Sequence, residues 1–210
     1  MAVETRNEIL DAADGLFGSV GFHAATTREI SELSGANKAL IHYHFGGKEG
    51  LFESVLDRYY ERLTAAIMTA LEGKGDLRAK MNRLVDAYID FLVLNPDFFR
   101  IVQREASGGK QMERIAKKMV DIMAVAMPAV REAYPVTASG PLSAEHLAVT
   151  FYGAIITYFS YARVLEEMLG ADPLSKAKIA ERKVHIHWLL ATAMDTLEAQ
   201  QKAQRKGKKK

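Results

Sequence analysis

The chain has 210 residues, of which 49% are hydrophobic and 26% charged, a mix that excludes a disordered chain and suffices for one domain or two small ones. It holds no cysteine, which removes disulfide scaffolds, thiolate metal sites and cysteine nucleophiles together. Six positive charges sit in the last nine residues, KAQRKGKKK, leaving 22 basic residues against 26 acidic ones elsewhere, so any DNA contact must come from a local patch or from the tail. The start, MAVETRNEIL, meets charge at once and lacks the apolar core of a signal peptide. The longest uncharged run, LAVTFYGAIITYFSYA (147–162), is shorter than the ~20 residues that cross a bilayer. A buried helix, a cytoplasmic protein and no membrane partner are the expectations.

Almost every segment carries helical period, and no run of alternating β-branched residues interrupts it, so the chain reads as all-α. The first helix spans about 4–20, with Ile9, Ala13, Leu16, Phe17 and Val20 on one side and Gly21 as its stop. Thr26 followed by Glu29 is a capping-box pattern that opens a short second helix. Gly35 ends it, and Asn37 can cap a third that runs to the pair Gly46-Gly47. A long fourth helix follows, from Lys48 to about Leu71, broken by EGKGD. The fifth carries Leu77, Met81, Leu84, Tyr88 and Phe91 on one face and ends at Asn95-Pro96. A short sixth (DFFRIVQREA) stops at Gly108-Gly109, and a seventh, about 110–133, contains Pro128, expected to kink it or mark its last turn.

The last two of the nine predicted helices differ from the others. From Ser143 to Leu169 one apolar face is Leu147, Phe151, Ile155, Tyr158, Ala162 and Leu165, and a second lies at Tyr152, Ile156 and Phe159. The final helix starts at Asp172-Pro173, a cap followed by proline at the first helical position. It has Ile179, Ile186, Leu190, Ala193 and Leu197 on one side, with Val184, Trp188 and Ala191 nearly opposite. A monomer helix needs a single stripe of ~100°. Two helices with two stripes each predict dimerisation through this pair, rather than a merely central place in the fold.

The stretch NKALIHYHFGGKEG (37–50) leaves room for barely two turns of helix, too short to be stable alone. With the helix before it and the turn at Gly35 it forms a helix-turn-helix, whose second helix enters the major groove. Leu40, Ile41 and Phe45 can face inward while Lys38, His42, Tyr43 and His44 stay outside. Thr27, Arg28 and Lys48 stand at helix starts, where free N–H groups and the dipole favour phosphate.

Residues 26–55, TTREISELSGANKALIHYHFGGKEGLFESV, closely resemble the DNA-binding segment of TetR-type transcriptional repressors. The resemblance implies a three-helix DNA-binding domain (1–47) and a six-helix ligand-binding and dimerisation domain (48–200) linked through the fourth helix, while the charge run itself marks 201–210 as a basic disordered tail. It implies DNA contacts from Thr27 and Arg28, base contacts from Lys38 and Ala39, and phosphate contacts from Tyr43, His44 and Lys48. The sequence departs from the pattern at His42, where tyrosine is usual, and at Gly47, where a better cap is common.

In such a protein the stripes of helices five to eight, otherwise plain core, wall a pocket for a small effector. Tyr88, Phe91, Met119, Met123, Phe151 and Tyr158 are the lining candidates and suggest an apolar or aromatic ligand, with Arg104, Glu105, His146 and Arg163 as polar anchors. The function implied is a homodimeric regulator, a repressor, that binds a palindromic operator and leaves it when the effector binds. The alternative is a helical ligand-binding or scaffold protein that does not read DNA. His42/His44 and His185/His187 are spaced two apart and make poor metal pairs, no nucleophile–base pattern gathers, and no phosphate loop follows a strand. No metal, no cofactor and no catalytic residue are expected.

Overall fold

Helix capping fixes most of the boundaries in the computed structural model, which describes residues 2–106 and 111–207. Ten α-helices are described: α1 (Ala2–Val20), α2 (Thr27–Ser34), α3 (Lys38–Phe45), α4 (Lys48–Glu72), α5 (Leu77–Leu94), α6 (Pro96–Ala106), α7 (Met112–Ala133), α8 (Ala144–Ser160), α9 (Ala162–Leu169) and α10 (Lys176–Gly207). A 3-10 turn, Pro135–Ala138, separates α7 from α8. No described helix is long and apolar enough to cross a membrane.

Four boundaries differ from expectation. The predicted eighth helix divides at Tyr161, so ten helices replace nine and seven follow α3 instead of six. At the break Tyr161 leaves the helical region (φ −105°, ψ 26°), although its N–H still donates to Thr157 O at 3.0 Å. The last helix starts at Lys176, not at Asp172-Pro173, because Asp172 Oδ1 accepts from Leu174 N (2.9 Å) and closes a separate turn first. Pro128 lies inside α7, which runs on to Ala133, and so does not mark its last turn. Residues 201–207 of the expected disordered tail continue α10, while 208–210 lie outside the described residues.

The chain divides into two compact units, Met1–Ala65 with Phe91–Lys118, and Ala66–Asp90 with Met119–Lys210. In the first, Phe17, Phe22 and Phe52 meet with ring centroids 4.8–6.0 Å apart, beside the fully buried Ile9, Ala13, Ile30, Ile41 and Leu51. A second aromatic group, Tyr59, Tyr60, Phe91 and Phe98, packs largely edge to face around Phe98. Polar links tie α1 to its neighbours. Tyr59 Oη donates to Asp14 Oδ1 (2.5 Å) and Arg58 Nη2 to Asp14 Oδ2 (3.0 Å), while Arg104 Nη2 reaches Ser19 O at 2.6 Å. That last contact supplies positive charge at the end of α1, which has no basic residue in its own last turn.

In the second unit Met81, Val85, Ile89, Ile155, Tyr158, Phe159, Ile179, Ile186, Leu190, Met194 and Leu197 are buried. Arg83 on α5 closes the end of α4, donating to the carbonyls of Ala70 (2.9 Å), Gly73 (2.9 Å) and Lys74 (3.0 Å). Beside the apolar contact runs a polar ladder between α5 and α10. Arg78 meets Asp195 (2.5 Å), His187 meets Asp86 (3.0 Å) and Lys183 meets Asp90 (2.7 Å). Equal steps in opposite directions along the two helices make the pair antiparallel.

Candidate nucleic-acid interface

Three short segments of the first unit build this site, each held by its own local chemistry. Thr26 Oγ1 accepts from Glu29 N (3.2 Å) and Glu29 Oε2 accepts from Thr26 N (2.9 Å), the capping box that starts α2. The Thr26 hydroxyl also donates to Glu29 Oε2 (2.7 Å), and this bond together with that from Thr26 N holds the Glu29 carboxyl below the usual carboxylate range. Gly35 ends α2 in the left-handed region (φ 66°), where a side chain would be strained, and so permits the sharp turn into α3. Asn37 Oδ1 then accepts from Ala39 N at 2.9 Å and caps α3.

The eight residues of α3 have a clear back and front. Ile41 and Phe45, four apart and therefore on one face, are 0% and 9% exposed, and Leu40 is half-buried beside them. Lys38, Ala39, His42 and Tyr43 are exposed, Tyr43 by 81%. His44 is half-buried, its ring edge-on to Tyr43 with centroids 4.9 Å apart. The two departures from the family pattern adjoin in space: a Cβ on Gly47 would stand 3.6 Å from His42 Cε1, so the imidazole lies against that glycine.

The cations around α3 differ in how far they are already engaged. Thr27 is half-buried at the start of α2, and Arg28 is exposed but paired with Glu32 at 2.9 Å. Lys48 Nζ sits 3.3 Å from His23 O and 4.6 Å from the centre of the Phe22 ring. An ammonium has three donors, so this leaves Lys48 protons for a phosphate. One residue that sequence reading passes over fixes the turn between α3 and α4. A Cβ on Gly50 would fall 1.9 Å from Phe45 O, a distance no side chain tolerates. Its signal is present, since an isolated glycine in the first turns of a helix costs ~1 kcal/mol and implies a packing reason.

The expected effector residues scatter over both units. Phe91 belongs to the aromatic group around Phe98, and Arg104 is exposed and bound to Ser19 O, both within the first unit. Buried Glu105 accepts from Gln111 N at 3.4 Å there. In the second unit, Tyr88 and Tyr152 stack with centroids 6.4 Å apart, and Tyr152 Oη lies 3.8 Å from Met119 Sδ. Burial pushes the Tyr152 phenol up. Tyr158 is buried, donates to Pro173 O (3.0 Å) and lies under Arg182. Met123 and Phe151 are half-buried, whereas Arg163 and His146 are exposed. Tyr152, assigned from sequence to the dimer face, is thus what joins Tyr88 to Met119.

The remaining residues expected at that face divide. Phe159 is 8% exposed and Tyr152, Ile156 and Ala191 are half-buried, whereas Val184 and Trp188 are 69% and 60% exposed. Further large apolar side chains stand in solvent on α8 and α9: Val149 (61%), Val164 (61%) and Met168 (72%), with Tyr161 (58%) between the two helices.

Residues 9–55 match the family model described as bacterial regulatory proteins, tetR family. Over 196 residues, 90% of this chain and 88% of the other, the protein is 28% identical to the HTH-type transcriptional repressor NicS of Pseudomonas putida. It is 31% identical over 99 residues to the HTH-type transcriptional activator FasR of Mycolicibacterium smegmatis, a match that spans 45% of that relative's length. In fold it is similar to the fatty acid degradation regulator FadR of Bacillus halodurans (TM-score 0.70, 17% identity, 89% of this chain and 94% of that one). The same holds for the TetR family transcriptional regulator PfmR of Thermus thermophilus (TM-score 0.66, 19% identity, 87% and 96%). Residues 9–55 thus carry the TetR-family DNA-binding domain, and the chain is a DNA-binding transcriptional regulator.

Proposed function

We propose that two copies of the chain bind a palindromic operator and repress, and that a small apolar or aromatic effector releases them. The observation that carries the DNA half is the two-sided α3, with Ile41 and Phe45 behind and Lys38, His42 and Tyr43 exposed in front. In this reading Lys38 and Ala39 meet base edges, while Thr27, Arg28, Tyr43, His44 and Lys48 hold phosphates and His42 adds a donor beside them. Residues 1–47 serve the DNA and 48–200 the effector and the partner, with the work done in the cytoplasm, where the genome lies. Repression is favoured because the match to the repressor NicS runs over most of both chains, whereas that to the activator FasR covers less than half of each.

Tyr88, Tyr152 and Met119 support an effector with a flat apolar body, since two stacked phenols admit an aromatic ring in place of each other. The exposed Val184 and Trp188 support a homodimer across α8 and α10. Selection from a random duplex pool tests the whole: a palindrome with half-sites one helical turn apart (~34–36 Å) is expected. Transcription in vitro from the selected sequence should fall when protein is added. Trp188→Glu should yield monomers by sedimentation and lose the palindrome, because a charge would enter a desolvated interface. Selection of single half-sites by an intact wild-type monomer would refute the dimer, and stimulated transcription would refute repression.

A further inference from the structure

Arg6 stands on α1, just ahead of the segment that matches the family model. Its side chain is exposed, and its guanidinium carbon lies 5.2 Å from the centre of the Phe45 ring. Phe45 is the last residue of α3, next to His44 and one short turn from Lys48. No carboxylate pairs with Arg6 among the described residues. Its neighbours on this face are less free: Arg28 is paired with Glu32 at 2.9 Å, and Lys48 Nζ is turned towards His23 O and the Phe22 ring. A guanidinium held over an aromatic ring spends no N–H donor on a hydrogen bond there, so its donors stay available. Their fork geometry fits two phosphate oxygens, and the ring fixes it in advance.

We propose that Arg6 is a phosphate-binding residue of the DNA face, gripping the duplex backbone beside the C-terminal end of α3. The proposal rests on reading α3 as the groove-facing helix. Affinity for a mixed-sequence duplex of about 30 base pairs should be measured by fluorescence anisotropy between about 50 and 200 mM salt, where each phosphate contact contributes a slope of about 0.9. Arg6→Ala should shallow the slope by that amount per protomer engaged, which reduces the affinity lost across this range by about 3.5-fold per contact. Arg6→Met keeps the aliphatic cover over Phe45 without charge and should behave like Arg6→Ala, whereas Arg6→Lys should keep the wild-type slope. Weaker binding with an unchanged slope in Arg6→Ala and Arg6→Met would assign Arg6 only to steadying Phe45 and overturn the proposal. If Lys48→Ala shallows the slope and Arg6→Ala does not, the DNA reading stands and this contact falls. Wild-type protein without salt-dependent binding would overturn both.

Discussion

Gly15 and Gly50 allow one substitution to be made twice with opposite expected signs. Both lie inside helices, α1 and α4, so replacement by alanine brings the same intrinsic gain, up to ~0.8–1.0 kcal/mol. At Gly15 an added Cβ meets nothing within 4 Å, and the gain should be realised in full. At Gly50 the Cβ would stand 1.9 Å from Phe45 O and 3.1 Å from Phe45 C. Both atoms are backbone, so no rotamer change relieves the overlap, and the α3–α4 turn must open by more than an ångström to restore an ordinary contact. Overpacking of this kind costs ~1–3 kcal/mol, which outweighs the helix gain. Gly15→Ala should therefore raise the urea midpoint and Gly50→Ala lower it, at fixed protein concentration and unchanged m-value. The difference between the two variants isolates the carbonyl contact. Gly50→Ala should also weaken DNA binding beyond its stability effect, because the carbonyl it displaces belongs to the end of α3. Equal stabilisation by both substitutions would refute the reasoning, since it would show that α3 and α4 separate freely.

Tyr59→Phe removes the donor to Asp14 Oδ1 and leaves a half-buried carboxylate with Arg58 alone, so ~1–3 kcal/mol should be lost in denaturant unfolding; a loss within error would mean that water replaces the phenol. Asn37→Ala deletes the cap of α3 and should cost ~1 kcal/mol, with faster amide exchange confined to the α3 start as the check. Two carboxyls should titrate on opposite sides of their ordinary values in carbon-detected NMR. Burial raises Asp14 against the bonds from Tyr59 and Arg58, so its contribution to stability is present below pH 3.8 and lost as pH rises through its folded-state value. Glu29, lowered by its bonds to Thr26, contributes above pH 4.5 and loses that contribution as pH falls through its folded-state value, loosening the start of α2. Acid loosening of α2 that persists in Glu29→Gln would break the link to this carboxyl.

Local chemistry is legible in the sequence and distant chemistry is not. The capping box at Thr26, the cap at Asn37 and the stops at Gly35 and Gly46 involve partners within a few residues, so each can be read without the fold. The same holds for the inward Ile41 and Phe45, since a period of 3.6 assigns a face without knowledge of the neighbour. The division of α8 from α9 escapes such reading because hydrophobic period continues across Tyr161, the residue whose backbone leaves the helical region. Period groups Phe91 with Tyr88 because they share a helix and a stripe. Its true companions, Tyr59 and Phe98, come from α4 and α6, and no pattern within α5 could name them. Gly50 carries a signal that period alone does not weigh, a residue out of place for its helix.

The two stripes of α10 have a physical account in the second unit. Ile186, Leu190 and Leu197 turn inward, Val184 and Trp188 turn to solvent, and Lys183, His187 and Asp195 form the seam with α5. The Lys183 and Asp195 charges between two apolar faces are thus partnered, which leaves the outer face in need of cover. On α5 the acceptors Asp86 and Asp90 bracket Tyr88, whose ring turns to Tyr152 on α8. An α5 that shifted along its axis to admit a ligand at Tyr88 would have to break the Arg78, Asp86 and Asp90 rungs together, since all three share one register. Each rung is at least partly exposed and worth ~0.2–1 kcal/mol. Three together amount to ~0.6–3 kcal/mol, which overlaps the ~1–3 kcal/mol typical of coupling between two sites. In the proposed effector reading, a seam of that strength would hold α5 in one register without ligand and still yield to a modest differential affinity, whereas a wholly apolar or deeply buried one would do only the first.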